Sequence, residues 1–448
     1  MRSIHAEPLT AALPPPAPVT AAGSSAKWPP CTIYVHDPGW SFNQRAMHTR
    51  SERWSDKHDY WQLAFALHTA LKGYEGRTLD PAAADVVFIA HYFQVHLPRS
   101  VTYAGGPLYQ WDRALKEGGP SALFNHSEVL LRRWSARPAD FVAVLISQAC
   151  GFARGWLRSA RWMLLEPLGY TCGFRHRFDV IAPAVISRPP WAPWRLTPAR
   201  HKTHFLTYVG RMGKPYIMVP VCQVRLKMWG ALRDHPNATI LATDYEDAIR
   251  PQLRTANKSC AVCSYGCKQC LDPRVYGLPE HGPRQRGVLP RVTSTAEYQE
   301  YFLNSTFCLM MRGDYEGSLK FTEIILAGCV PVLISDMPAW PFAQRLDYRS
   351  FSYEFDWQEA SARPLGVMER LLRVPAHEYA AKHAALMRVR ARFFYSRRAE
   401  RRSGASAERE LIKDLCAARG GARRAGGPSD DLRSVYKARE KDALAEPP

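Results

Sequence analysis

Asparagine is scarce in this 448-residue chain, and its few positions are informative. Only five asparagines occur, and four of them stand in the Asn-x-Ser/Thr context of N-glycosylation: Asn125, Asn237, Asn257 and Asn304. Because serine and threonine make up about a tenth of the chain, chance would place fewer than one of the five there. The sequence therefore predicts a glycosylated protein of the secretory pathway, with a cytosolic protein as the alternative.

Long hydrophobic runs are also missing. No stretch reaches the roughly 18–20 uninterrupted apolar residues of a membrane-spanning helix. Residues 1–30 are rich in proline and alanine and lack the apolar core of a secretory signal, so we expect a flexible linker or stem there. Apolar residues nevertheless make up 46 % of the chain and aromatic residues 11 %, which excludes global disorder and allows two or three domains.

Acidic residues are outnumbered by basic ones. The chain has 60 Lys and Arg against 41 Asp and Glu, a formal charge of +19. Such a balance fits binding to nucleic acid, to an anionic membrane or to an anionic substrate. Much of the excess lies in residues 396–448, which we expect to form a basic, disordered tail.

Cysteine, in contrast, is abundant, with eleven residues. Four of them follow a C-x2-C-x3-C-x2-C pattern inside an irregular insertion near residues 257–290: Cys260, Cys263, Cys267 and Cys270. Local disulfides are one interpretation, since a secreted chain folds in an oxidising compartment, and a zinc site is the other. The zinc interpretation, joined with the basic tail, would make the chain a nucleic-acid-binding protein. Cys308 and Cys329 stand in apolar runs and are expected to be buried small hydrophobic residues.

Apolar, strand-like runs alternate with helical patterns along most of the chain. In the first half, "CTIYVHD", "ADVVFIAHYF" and "ADFVAVLISQ" predict buried strands, with helical patterns between them. The alternation begins again after a proline-rich connector at residues 187–202. This pattern predicts an α/β protein with two parallel-sheet domains, the first at residues 31–195 and the second at residues 196–395.

The clearest chemistry lies in "FCLMMRGDYEGSLKFTEIILAGCVPVLISD", residues Phe307 to Asp336. Its pattern predicts a strand, a loop, a helix and a second strand. A loop at the carboxyl end of a parallel strand that leads into a helix favours anions, and Arg312 in that loop can grip a phosphate. Glu323 falls in the apolar helix and needs hydrogen-bond donors, which sugar hydroxyls would supply. A surface cation and an internal ion pair are the alternative interpretation.

The same stretch resembles the donor-site signature of the exostosin family of inverting glycosyltransferases, glycosyltransferase family 47. "FCLMMRGD", the acid eleven residues after the arginine and "AGCVPVLISD" carry the resemblance, and softer likenesses extend it over residues 32–395. The resemblance implies a GT-B-like fold, in which two Rossmann-like domains face each other across a cleft. It also implies that the second domain binds a nucleotide sugar, most often a UDP-sugar.

The resemblance further implies a set of donor-binding residues: Arg312, Gly313, Lys320, Glu323, Arg211 and Arg225. In this assignment Arg312 faces the diphosphate, Glu323 takes the ribose hydroxyls, and Lys320 is a second phosphate contact. Arg211 and Arg225 are further phosphate candidates.

We therefore expect an inverting transferase that moves a sugar from a nucleotide donor to a hydroxyl of a glycan or glycoprotein. The expected location is the Golgi lumen. The expected partner is a related glycosyltransferase, in a dimer, and we do not expect binding to nucleic acid. No strict Asp-x-Asp motif occurs, so we expect no metal or cofactor requirement beyond the donor. The sequence leaves the catalytic base open, with His91, Asp37 and Asp314 as candidates. A family member that has lost catalysis and serves an active paralogue is the alternative.

Overall fold

The structure is a computed structural model and describes eleven segments of the chain: residues 31–37, 63–90, 118–145, 159–164, 178–186, 201–210, 220–242, 295–311, 319–335, 340–395 and 405–422. These segments form two compact units. The first unit holds the described residues within 31–186, 340–346 and 391–422. The second unit holds those within 201–335 and 347–390. The chain thus returns to the first unit twice, which the predicted sequential division at residues 195 and 196 did not include.

Six strands form the sheet of the first unit: β1 Ile33–His36, β2 Arg77–Thr78, β3 Val86–Ile89, β4 Phe141–Leu145, β5 Arg161–Leu164 and β6 Val180–Ile181. Their order in the sheet is β2-β1-β3-β4-β5-β6, and every pairing is parallel. Helices α1 (Leu63–Lys72) and α2 (Glu128–Ala136) belong to the same unit. All four residues of β3 are buried, as expected for a parallel strand covered on both faces.

Aromatic side chains pack between the first sheet and α2. The rings of Phe124, Trp134 and Phe141 lie with their centroids 5.0 to 5.6 Å apart. Arg133 on the same helix is buried, and its Nη2 lies 2.8 Å from a carboxylate oxygen of Asp140. This core fixes the carboxyl ends of β1 and β3 against the segment that precedes α2.

Five strands form the sheet of the second unit: β7 His204–Gly210, β8 Ala238–Ala242, β9 Ser305–Met311, β10 Val330–Ile334 and β11 Tyr353–Phe355. Their order is β11-β10-β9-β7-β8, again with parallel pairings throughout. The helices of this unit are α3 Pro220–Leu232, α4 Thr295–Leu303, α5 Leu319–Leu326, α6 Trp357–Ala362, α7 Pro364–Leu372 and α8 Ala376–Val389. The strand, helix and second strand predicted for residues Phe307 to Asp336 correspond to β9, α5 and β10.

A helix near the C-terminus, α9 at Ala407–Ala422, corrects the prediction of a disordered tail at residues 396–448. Its Leu411, Ile412 and Leu415 are fully buried in the first unit. The carbonyl of Leu415 accepts a hydrogen bond of 3.0 Å from the guanidinium of buried Arg161. The apolar face of α9 stabilises the helix by packing, and the many basic residues around it concealed that face in the sequence.

A disulfide joins the two ends of the first unit. Cys31, two residues before β1, is bonded to Cys416 on α9, across a sequence separation of 385 residues. The carbonyl of Cys31 also accepts a hydrogen bond of 2.8 Å from the Tyr74 hydroxyl. The bond therefore anchors α9 near the start of β1.

A second disulfide corrects the prediction that Cys308 and Cys329 are merely small hydrophobic residues. Both side chains are fully buried as expected, but their sulfur atoms are bonded to each other. Cys308 lies in β9, and Cys329 directly precedes β10, which pairs with β9. Adjacent parallel strands thus bring together two cysteines that the sequence pattern assigns to separate apolar runs.

The predicted fold class, α/β with two Rossmann-like domains, is confirmed, since each unit has a parallel sheet with helices between its strands. Within the described segments, no helix has the length and apolar character needed to cross a membrane. Asn125, one of the predicted glycosylation sites, lies before α2 and is exposed, with a φ of 49°. The cluster Cys260 to Cys270 lies outside the described residues, so its disulfide or zinc state stays a prediction.

Candidate functional site

The strand order of the second sheet defines where a ligand is expected. From β7 the chain passes to β8 on one side of the sheet and then to β9, β10 and β11 on the other. Parallel α/β sheets bind ligands outside the carboxyl ends of the strands at such a reversal of strand order. In this sheet the position is marked by Gly210 and Met311, the last residues of β7 and β9.

Lys320 lies in the first turn of α5 and reaches back to the end of β7. Its ammonium group donates a hydrogen bond to the carbonyl of Val209 and lies 4.0 Å from the ring centroid of Tyr208. Gly210 makes this approach possible, because a Cβ at that position would collide with the Nζ of Lys320. A buried positive charge is therefore held at the carboxyl end of β7.

Arg225 brings a second cation to the same edge, at the carboxyl end of the adjacent strand β9. The residue lies on α3, is buried, and donates a hydrogen bond of 3.0 Å from Nη2 to the carbonyl of Met311. Its guanidinium carbon lies 5.7 Å from the ring centroid of Tyr208. Both cations thus contact Tyr208, which lies two residues before the end of β7.

Glu323 lies one turn after Lys320 on α5 and is also buried, with 7 % exposure. Its Oε1 lies 3.4 Å from Nε2 of Gln299 on α4, which donates to it. Two buried cations therefore lie at the reversal of strand order, and a buried carboxylate lies one turn after the first of them on α5. Such a set favours a ligand that carries negative charge together with hydroxyl groups.

The opposite end of α5 is held by two further cations, half-buried Lys202 and buried Arg390. Lys202 donates to the carbonyls of Ser305 at 2.7 Å and Gly328 at 2.9 Å, and Arg390 donates to the carbonyl of Leu326 at 2.7 Å. Burial, with a smaller contribution from Arg390, lowers the pKa of Lys202 to about 7. Burial likewise lowers the pKa of Arg390 to about 10. These contacts satisfy carbonyls at the C-terminus of the helix and so fix the position of its other end.

Five of the predicted site residues lie outside the described residues: Arg211, Arg312, Gly313, Asp314 and His91. In the sequence, Arg211 directly follows β7 and Arg312 directly follows β9. Their roles, including the proposed pairing of Arg312 with Glu323, stay predictions. Within the described part of the chain, no group of three or more His, Cys, Asp and Glu residues is arranged to hold a metal ion.

The first sheet has the same reversal of strand order, between β1 and β3. Asp37 directly follows β1, and its Oδ2 lies 3.7 Å from Nε2 of the fully buried His68 on α1. Burial is the main cause that lowers the pKa of His68 to about 4, so its ring is neutral at pH 7. The contact therefore positions Asp37 without forming an ion pair at that pH.

His36, the last residue of β1, was not among the predicted site residues. Its Nε2 lies 2.8 Å from the carbonyl of Leu123, and its ring packs edge-on against Phe124 at a centroid distance of 5.4 Å. Gln299, Tyr208 and Gly210 were missed as well. The pair His-Asp at the end of a predicted strand was a usable signal for His36, whereas nothing in the sequence marked Gln299.

Comparison with known proteins places these units in a family. The family model "Exostosin GT47 domain" matches residues 27–367. An exostosin-1 homolog of Caenorhabditis elegans is 50 % identical over 54 residues, which are 12 % of this chain and 14 % of that protein. Exostosin-like 1 of Homo sapiens is 32 % identical over 124 residues, which are 27 % of this chain and 15 % of that protein.

A solved glycosyltransferase from Rickettsia africae superposes on 86 % of this chain and 98 % of its own, at 8 % identity and a TM-score of 0.36. The segments that align with the two exostosin relatives cover only 14 % and 15 % of the length of those proteins. The family match itself covers most of the chain. The chain therefore belongs to the exostosin GT47 family.

Proposed function

We propose that the protein is a glycosyltransferase that uses a nucleotide-sugar donor, and that the donor binds at the carboxyl ends of β7 and β9. The single observation that carries the proposal is the pair of buried cations, Lys320 and Arg225, at the carboxyl ends of β7 and β9, with buried Glu323 one turn after Lys320. Membership of the GT47 family supports the transfer of a sugar rather than simple nucleotide binding.

The donor would be held by cations at its diphosphate and by a carboxylate at its ribose hydroxyls. The diphosphate lies near Lys320 and Arg225, with Arg312 and Arg211 contributing from the loops that follow β9 and β7. Glu323 accepts hydrogen bonds from the ribose hydroxyls. These cations gain interaction energy as the diphosphate leaves, because negative charge on it increases in the transition state. We propose that this replaces a metal ion and any further cofactor.

The finer assignments follow from the family resemblance and are part of the proposal. The donor is a UDP-sugar, the acceptor is a hydroxyl of a glycan or glycoprotein, and the anomeric configuration is inverted. The location is the Golgi lumen, supported by two disulfides among the described residues and by the excess of glycosylation sites. We expect the protein to form a dimer with a related glycosyltransferase and not to bind nucleic acid.

Release of UDP from a panel of nucleotide sugars tests the proposal. The purified protein is incubated with UDP-glucose, UDP-galactose, UDP-N-acetylglucosamine and UDP-glucuronic acid, with GDP-mannose as a comparison and EDTA in half of the samples. We expect UDP release with at least one donor in both halves, and a loss of at least about tenfold in Arg312→Ala. NMR of the product then gives the anomeric configuration.

Two outcomes would contradict the proposal. Tight UDP binding without release from any donor would favour a member that has lost catalysis. Absence of both binding and release would remove the nucleotide-sugar function altogether.

A further inference from the structure

The contact between α4 and α5 places two polar side chains among apolar ones in the second unit. Gln299 on α4 is 1 % exposed and Glu323 on α5 is 7 % exposed. Their neighbours on the two helices, Phe302, Phe321 and Ile324, are buried as well. An amide and a carboxylate are costly to bury, and an apolar pair of similar size would be about as stable here. Stability of the fold therefore does not account for this pair.

The same helix contact includes Lys320, and all of these residues belong to the second unit. Gln299 and Phe302 are three residues apart and so lie on one face of α4. Lys320 and Glu323 are three residues apart on α5 and likewise share a face. The ammonium group of Lys320 lies 5.8 Å from the ring centroid of Phe302. The face of α4 that carries Gln299 thus packs against the face of α5 that carries two of the proposed donor-binding residues.

The contact with Glu323 determines how the amide group of Gln299 is turned. A carboxylate only accepts hydrogen bonds, so the amide nitrogen Nε2 faces it, 3.4 Å from Oε1 of Glu323. The amide oxygen is then turned from the carboxylate, and among the described residues this buried atom has no hydrogen-bond partner. A buried acceptor without a donor is costly, and a hydroxyl group of a bound ligand would satisfy it.

Resting on the nucleotide-sugar function proposed above, we propose that Gln299 is a further specificity-determining residue of the donor site. Its Nε2 holds the carboxylate of Glu323 in the orientation that accepts from one ribose hydroxyl, and its Oε1 accepts from the neighbouring hydroxyl. The vicinal 2′- and 3′-hydroxyls of a ribose supply two donors, which match these two acceptors. The pair therefore selects ribonucleotides over nucleotides that lack the hydroxyls.

The affinities of two nucleotides for one variant test the proposal. Gln299→Met keeps the approximate size of the side chain and removes both its amide donor and its amide acceptor. Gln358→Met is the matched control, because Gln358 belongs to the same unit and is exposed on α6. Calorimetry measures the affinity of UDP and of 2′,3′-dideoxy-UDP for wild-type protein and both variants, beside thermal unfolding.

We expect wild-type protein and Gln358→Met to bind UDP at least about tenfold more tightly than the dideoxy analogue. In Gln299→Met this ratio should fall to about threefold or less, through weaker binding of UDP and unchanged binding of the analogue. The ratio compares two ligands on the same protein, so a small loss of stability does not affect it. A role in the fold alone would weaken both nucleotides equally and leave the ratio unchanged, and that result would overturn the proposal.

The wild-type protein separates this inference from the function on which it rests. If it binds neither nucleotide, the nucleotide-sugar function fails and the role of Gln299 fails with it. If it binds both equally, ribose recognition by Glu323 and Gln299 is overturned, whereas the diphosphate site stands. If it prefers UDP and Gln299→Met keeps the full preference, only the assignment of Gln299 is overturned.

Should Gln299→Met not fold, Gln299→Asn takes its place. Asparagine keeps the amide group, but its side chain is one methylene shorter and draws that group away from Glu323. We expect the same fall in the ratio of the two affinities. Failure of both variants to fold would show that Gln299 is a structural residue and would overturn the proposal.

Discussion

The two sheets share one topology and carry different chemistry at the same place. In the second unit, the carboxyl ends of β7 and β9 carry Lys320 and Arg225, both hydrogen-bonded to strand-end carbonyls. In the first unit, the carboxyl end of β1 carries His36, a neutral ring with a fixed tautomer. Strand order thus determines where each half of the protein can act, and the side chains at the strand ends determine what each half can do.

The largest difference between the units that we expect to measure is in stability, through their disulfides. Cys31–Cys416 spans 385 residues and Cys308–Cys329 spans 21. Because a longer closed loop restricts the unfolded chain more, the first disulfide should contribute about 2.5 kcal/mol more to the free energy of unfolding. Calorimetric unfolding of Cys31→Ala/Cys416→Ala and of Cys308→Ala/Cys329→Ala measures this difference.

The first pair of substitutions should shift an unfolding transition further than the second pair. A larger shift from the Cys308 and Cys329 substitutions would mean that local packing, rather than loop closure, sets the contribution of these bonds.

The amino-terminal edge of the second sheet should give a pH-dependent stability. In the unfolded chain Lys202 stays protonated up to its ordinary pKa of 10.5, whereas in the folded protein it loses its proton above about 7. The unfolded state therefore binds more protons between pH 7 and pH 10, and the free energy of unfolding rises with pH in that range. Lys202→Met should flatten this rise. Urea unfolding at pH 7, 8 and 9 compares the slopes, and parallel curves for the two proteins would contradict the account.

Glu323→Gln should separate ribose recognition from diphosphate recognition. The neutral amide accepts weaker hydrogen bonds from the ribose hydroxyls, so UDP affinity should fall about tenfold. A 2′,3′-dideoxy analogue of UDP lacks those hydroxyls and should bind wild-type protein and variant equally. An equal loss for both nucleotides, measured by calorimetry, would show that Glu323 acts on the fold of the site instead.

Gly210→Ala should have the smallest effect. The added Cβ collides with the end of the flexible Lys320 side chain and with no backbone atom, so the ammonium group shifts while the fold persists. We expect UDP affinity to fall by roughly threefold, with an unchanged unfolding temperature. Loss of folded protein in this variant would mean that Lys320 cannot move and is a structural residue.

Much of the fold was predictable because the sequence contains continuous apolar runs. The strands β1, β3, β4, β9 and β10 each lie within an apolar run that was assigned to a strand. The helix α5 was expected from the same stretch, and Gly328, with a φ of 66°, follows its end. Glu323 was correctly placed in the interior of this helix.

The missed features depend on contacts between distant residues. The pairing of Cys31 with Cys416 requires that α9 packs beside β1, and charge in the surrounding sequence concealed the apolar face of α9. The tautomer of His36 depends on the carbonyl of Leu123, 87 residues away in the chain. Neither proximity leaves a pattern of spacing or composition in a single sequence.

The central claim is that a nucleoside diphosphate binds at the carboxyl ends of β7 and β9. Calorimetric titration of UDP into wild-type protein, Arg225→Met and Arg233→Met tests it most directly. Arg233 directly follows the helix that carries Arg225, eight residues further along the chain, where it pairs with Asp234 and stacks on Trp229. Thermal unfolding first checks that all three proteins are folded. The account then predicts a ten- to hundredfold loss of UDP affinity in Arg225→Met and none in Arg233→Met. Equal affinity in the two variants would contradict it.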